Sequence, residues 1–166
     1  VYHKDIGNTH ALYLNENFVK TDSVTFWNDT TPTSSVFSLG TDNSWNGTSI
    51  FYCFAEKKGY SKFGTFVSNN TADNVFIYTG FAPSMVILKS TTSTNDWTIQ
   101  DIKRPGVNPA HKMYPNINND EDDDNDIDFL SNGFKIRGGL GANTFVYMVW
   151  ANNPFVTSTG VPVTAR

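Results

Sequence analysis

Residues 144–151 read T-F-V-Y-M-V-W-A. The run carries no charge and is apolar at odd and even positions alike. Successive side chains of a strand point to opposite faces. A strand of a one-sided sheet therefore alternates in polarity, whereas a run apolar on both faces fits a strand covered on both sides. Its second face lies either inside the fold or against another subunit. Residues 49–56, S-I-F-Y-C-F-A-E, have the same character, and residues 50–55 match residues 146–151 in type at every position. Two such runs in one chain predict central strands, and with them an all-β protein.

The surrounding sequence agrees. Further strands are predicted at 11–14, 24–27, 35–39, 61–66, 75–78, 84–89, 97–101 and 133–137. Turn-forming clusters separate them, among them Asn46-Gly47, Lys58-Gly59, Asn69-Asn70 and Asn132-Gly133. Aromatic residues make up 14% of the chain, and Leu and Glu are scarce, which favours strands over helices. No segment keeps a helical period over several turns. The predicted fold is a β-sandwich, jelly-roll-like or lectin-like.

The two runs also point to a duplication. H-A-L-Y-L-N-E-N, from His10, aligns with H-K-M-Y-P-N-I-N, from His111, and four of the eight positions are identical. Val36-Phe37-Ser38-Leu39 aligns with Gly133-Phe134-Lys135-Ile136. The order is kept, and the offset drifts only from 101 to 97 to 96 residues, as duplication followed by loop insertions would leave it. The expectation is two tandem diverged copies, residues 1–70 and 71–166, with the first truncated at its N-terminal side. An initial Val rather than Met suggests a piece of a longer polypeptide.

Charge narrows the functional classes. The net charge is −4, and seven of the sixteen acidic residues fall within residues 120–128. No dense basic face is present, so nucleic-acid binding is not expected. No apolar stretch is long enough for a membrane helix. The lone Cys53 excludes an intrachain disulfide and, within an apolar run, reads as a buried, inert thiol.

Catalytic signatures are missing from the sequence: it has no G-x-S-x-G, H-E-x-x-H, C-x-x-C or phosphate-binding Gly loop. His10 and His111 occupy equivalent positions and read as structural hydrogen-bonding residues. Three smaller features remain. Trp45, with Asn43 and Asp42 in a turn-like segment, reads either as a sugar-stacking site or as loop packing. Asp120, Asp122, Asp124 and Asp126 alternate as in a Ca²⁺ loop, but Asn125 and Ser131 stand where such a loop needs Gly and Glu. The alternative for this run is a self-repelling solvated loop. Lys57, Lys58 and Lys62 surround Tyr60 and Phe63, which suits either an anionic contact or a polar turn.

A set of motifs then resembles a known family. G-Y-S-K-F-G-T-F (from Gly59), Y-T-G-F-A-P-S-M-V-I-L-K (from Tyr78), D-F-L-S-N-G-F-K-I-R (from Asp128) and the ending F-V-Y-M-V-W-A-N-N-P-F look like a C-terminal repeat domain of unknown function in marine bacteriophage tail-fibre and other virion structural proteins. The resemblance implies a β-rich virion appendage, other virion subunits as partners and a homo-oligomer, with a trimer favoured. It carries no binding residues. The expected role is a structural or adhesive module contacting a host-surface glycan, not an enzyme. Capsid decoration or another virion-assembly role is the alternative. A polysaccharide-acting enzyme is a third reading, and it requires two carboxylates about 5–10 Å apart in a cleft.

Overall fold

The computed structural model describes residues 1–104, 108, 110–123, 126–138 and 140–153. The elements run β1 (His10–Ala11), β2 (Thr21–Asp22), α1 (Val24–Trp27), β3 (Ser61–Val67), β4 (Phe76–Tyr78), β5 (Pro83–Ser90), β6 (Thr98–Asp101), β7 (Lys112–Met113), β8 (Ile127–Leu130), β9 (Gly133–Ile136) and β10 (Thr144–Ala151). All strand pairs among the described residues are antiparallel. The fold is all-β. A five-stranded sheet has the order β3-β10-β5-β6-β7, a three-stranded sheet the order β4-β9-β8, and β1 and β2 form a ribbon.

β10 occupies the central place that its sequence predicts. It pairs with β3 along one edge and β5 along the other. Its two apolar faces have different covers. Phe145, Tyr147 and Val149 share a core with Val86 and Leu88 of β5 and with Ile77, Phe129, Phe134 and Ile136 of the smaller sheet. Val146 faces the other way and packs with Trp97 and with Ile6 and Leu12 of the N-terminal segment, where Ile87 and Met148 also lie. Each such buried side chain contributes about 1.5–3 kcal/mol.

Two polar side chains fasten the N-terminal segment to that second face. Lys89 is fully buried, and its Nζ donates to the carbonyls of Asn17, Ser90 and Asn95 at 3.2, 2.9 and 2.8 Å. Three acceptors match the three donors of an ammonium. Burial still lowers its pKa to about 8, against the opposing pull of Asp96. His3 is also buried. Its Nε2 lies 3.4 Å from the Tyr147 carbonyl, and the Asp5 N–H donates to its Nδ1 at 3.2 Å. This pair of contacts selects the neutral Nε2–H tautomer.

The short ribbon and the region of the acidic run share one feature of register. Ala11 pairs with Thr21, and Lys112 pairs with Asp122 in an isolated bridge. The reach is ten residues in both, and the two sites are separated by the same 101 residues as the aligned His10 and His111 segments. β3 lies before residue 70 and β10 after it, so the large sheet crosses that boundary.

Several expectations fail. Residues 24–27 form one helical turn, not a strand. The Ser23 side chain accepts from Thr25 N–H as N-cap, and Asn28 closes the turn at φ 50°. Gly40 then lies against it: its N–H donates to Phe26 O at 2.9 Å, and a Cβ there would fall 2.2 Å from Thr25 O. Residues 35–39 and 49–56 are not strands either, and they are largely exposed. Residues 49–56 repeat the pattern of β10 but pair with no strand on either side among the described residues. Cys53 is consequently exposed, not buried. Conversely, β8 emerges from the end of what reads as an acidic loop.

Candidate functional site

The face of the large sheet that meets the smaller sheet turns polar toward the β7 edge. In β6, Thr98 and Gln100 point to one side and Ile99 to the other. Gln100 stands opposite Lys112 of β7. Thr98, Gln100 and Lys112 are all buried. Gln100 Nε2 donates to Ala110 O at 3.1 Å. Thr98 Oγ1 and Gln100 Oε1 have no hydrogen-bond partner among the described residues, and a buried oxygen left so costs about 1–3 kcal/mol.

A pocket of about 310 Å³ opens beside Thr98, with Asp96, Lys112, Tyr114, Asp126 and Phe145 among its walls. Its polar walls are held in place by one another. Lys112 Nζ lies 2.9 Å from Asp126 Oδ2 and 3.8 Å from Asp122 Oδ2. Tyr114 Oη donates to Asp122 Oδ2 at 2.8 Å, and burial, chiefly, raises the Tyr114 pKa. Asn116 Nδ2 donates to Asp96 Oδ1 at 2.7 Å, while its Oδ1 accepts from Trp97 N–H. The result is a preformed concave site with fixed donors and acceptors and one hydroxyl whose capacity is unfilled.

The acidic run is thus only partly a solvated loop. Asp120 is exposed, Asp126 is buried, and Asp124 lies outside the described residues. Cations of the chain itself meet Glu121, Asp122 and Asp126. Beyond Lys112, Arg104 bridges Asp101 and Glu121 at 2.9 and 2.5 Å, and His111 Nδ1 is 3.0 Å from Glu121 Oε1. No group of three or more His, Cys, Asp or Glu among the described residues has the arrangement to hold a metal ion. His10 has a related but looser setting, 4.0 Å from Asp22 across the β1–β2 pair.

The other sequence-selected residues fall elsewhere. Asp42 caps a 3₁₀ turn over Asn43–Trp45. Its carboxylate accepts from Ser44 N–H at 2.8 Å, and hydrogen bonding from the Ser44 side chain, then from that N–H, holds its pKa below the usual range. Asn43 Oδ1 accepts from Asn46 Nδ2. Trp45 donates from Nε1 to Phe26 O at 3.1 Å, and its ring lies against Trp27 and Phe51 with centroids 5.5 and 5.6 Å away. This is loop packing. Lys57, Lys58 and Lys62 come together with Glu56 and Tyr78 around a second, shallow pocket of about 340 Å³. Thr98, Gln100 and Lys112 were missed as site residues. The available signal was Lys112: it aligns with the core residue Ala11 and precedes a dense run of acids.

The model of a domain of unknown function, DUF7483, matches residues 1–154. The chain belongs to that family. No curated protein matches it, and no solved structure does.

Proposed function

We propose that this chain is a structural and adhesive module of a phage tail fibre or related virion appendage, and that it holds part of a host-surface glycan in the pocket at Thr98. The observation carrying the glycan reading is Thr98, a residue beside a polar pocket whose buried Oγ1 has no hydrogen-bond partner among the described residues. A sugar hydroxyl is both donor and acceptor, and the volume lies at the lower end for small-molecule sites. The appendage reading rests on the sequence resemblance. We further read the two larger sheets as layers of a jelly-roll-like or lectin-like sandwich. We also read the recurring ten-residue register as a trace of duplication, with residues 1–70 and 71–166 as the two copies.

The test is a glycan array probed with wild type and Thr98→Val. Retention of a glycan by wild type, weakened more than tenfold in the variant at unchanged or raised melting temperature, supports the reading. Wild type that retains no glycan sinks it. Retention of virion proteins instead favours capsid decoration or another assembly role. A second reading follows from Asp96 and Asp126 lining one pocket: a polysaccharide-acting enzyme. It predicts release of reducing ends that Asp96→Asn abolishes. The ion pair to Lys112 and the hydrogen bond from Asn116 give both carboxylates structural work, which favours binding over hydrolysis.

A further inference from the structure

Between Asp29 and Glu56 the chain carries one charge, Asp42. Within that stretch lies the most exposed apolar surface of the described residues. Ile50 and Tyr52 are 80% and 81% exposed, Val36 and Phe54 64% and 62%, and Phe37 and Phe51 about 40%. With large side chains presenting some 150–250 Å² each, these six expose on the order of 700 Å². Phe37 and Phe51 are in ring contact with centroids 5.1 Å apart, and apolar exposure of this extent within one short stretch is a mark of interaction sites.

The local sequence is that of a strand. Residues 49–56 have the two-faced apolar pattern that β10 buries between β3 and β5. They hold β-branched and aromatic residues, no Pro, and a charge only at Glu56. Such a segment left open on a surface pairs readily with another strand. An open edge lies beside it. β3 ends the large sheet and has β10 as its ladder partner. On its outer side the chain makes the Lys57–Ser61 bridge, and the Glu56 carboxylate accepts from Phe63 N–H at 3.0 Å. Beyond that point the outer edge continues through Thr65 and Val67, both exposed.

We propose that residues 49–56 are an assembly strand whose occupant is a second copy of this chain. Two copies meet through their 36–54 flanks, and the segment pairs with backbone of the partner. Two considerations select a second copy over another partner. The area available, doubled across two copies to about 1,400 Å², falls within the roughly 1,200–2,000 Å² of standard stable interfaces. Each copy also carries a net charge of −4, and this nearly uncharged flank lets like molecules approach without opposing charges. The proposal is independent of the glycan reading.

The experiment is light scattering of the full chain over a concentration series, with maleimide labelling of Cys53 as a local readout. Ile50→Lys/Tyr52→Lys is the test variant. Both residues are exposed, so the variant keeps the fold, which circular dichroism checks. The expected result is an assembly of wild type at micromolar concentration, with Cys53 labelled at least tenfold more slowly than in a monomeric variant. A wild type that stays monomeric at all concentrations overturns the proposal, as does an assembly that survives the double substitution. Slow labelling of Cys53 in a monomer also overturns it, since the segment is then covered within its own chain.

Discussion

The ring of Tyr147 lies flat over Gly64, its cross-strand partner in the β10–β3 pair, so closely that a Cβ at Gly64 would fall 2.6 Å from Tyr147 Oη. The glycine is there to admit an aromatic ring into the core between the sheets. Gly64→Ala forces the ring or the strand to move, and overpacking of this kind costs about 1–3 kcal/mol. Chemical denaturation should show that loss, and Gly64→Ala/Tyr147→Leu should recover part of it. Equal stability of wild type and Gly64→Ala would mean that the ring has room to tilt.

Lys112 and Asp126 form a buried pair at 2.9 Å. Asp126→Ala removes an anion 2.9 Å from a buried ammonium, and breaking such a pair costs about 3–5 kcal/mol. Replacing both by apolar residues, Lys112→Met/Asp126→Leu, is expected to cost far less than Asp126→Ala alone. Urea unfolding of the four species of that cycle gives the comparison.

Acid should loosen the N-terminal segment. Burial lowers the pKa of His3, outweighing the opposing effects of Asp5, the Tyr147 carbonyl and Glu56, while Lys4 adds to the lowering. The unfolded chain then takes up the proton first as pH falls through the ordinary imidazole value near 6.5. Stability is present above that pH and is lost below it. His3→Gln should flatten the dependence of melting temperature on pH between 7 and 5. An unchanged slope would assign the acid sensitivity to other groups.

Alkali acts oppositely at Lys89. Its folded pKa is about 8 against 10.5 in the unfolded state. The unfolded chain therefore binds more protons across that window, and this site gains stability as pH rises from 8 to 10.5, by at most about 1.4 kcal/mol per unit. Tyr147, pushed up to about 12 by burial, works the other way above pH 10. The stability of wild type relative to Lys89→Met should therefore rise between pH 8 and 10. A constant difference would show that Lys89 keeps its proton throughout.

Trp45→Ala separates packing from recognition. The indole joins the turn to Phe26 by one hydrogen bond and to Trp27 and Phe51 by ring contacts, so its loss should cost about 1–3 kcal/mol. Binding of any glycan found by array should be unchanged. A binding defect at unchanged stability would restore Trp45 as a stacking residue.

The strands legible in the sequence were those whose pattern and neighbours agree, such as β3, β5, β9 and β10. Residues 49–56 show the limit. Their composition equals that of β10, but a central strand is made by partners far away in sequence, and no local pattern reports whether those partners exist. Val24–Trp27 failed for a local reason. Its β-branched and aromatic residues suggest a strand, but the Ser23 cap and the positive φ values of Asn28 and Asp29 close a helical turn. At the site, Lys112 was hidden: the acids, Asp126 among them, were visible as a run and suggested Ca²⁺, while the cation that meets them enters from another strand.

The strand order has a consequence for how the molecule is made. β10 is the last strand of the described chain, yet it sits between β3 and β5, both of which leave the ribosome long before it. The large sheet cannot close until β10 has been made. It waits as two parts with an open slot between them, and pairings of such long sequence separation form slowly. Residues 49–56, already synthesised and of the same two-faced pattern, are the natural first tenant of that slot. The chain thus carries, ahead of its central strand, a second segment with that strand's pattern.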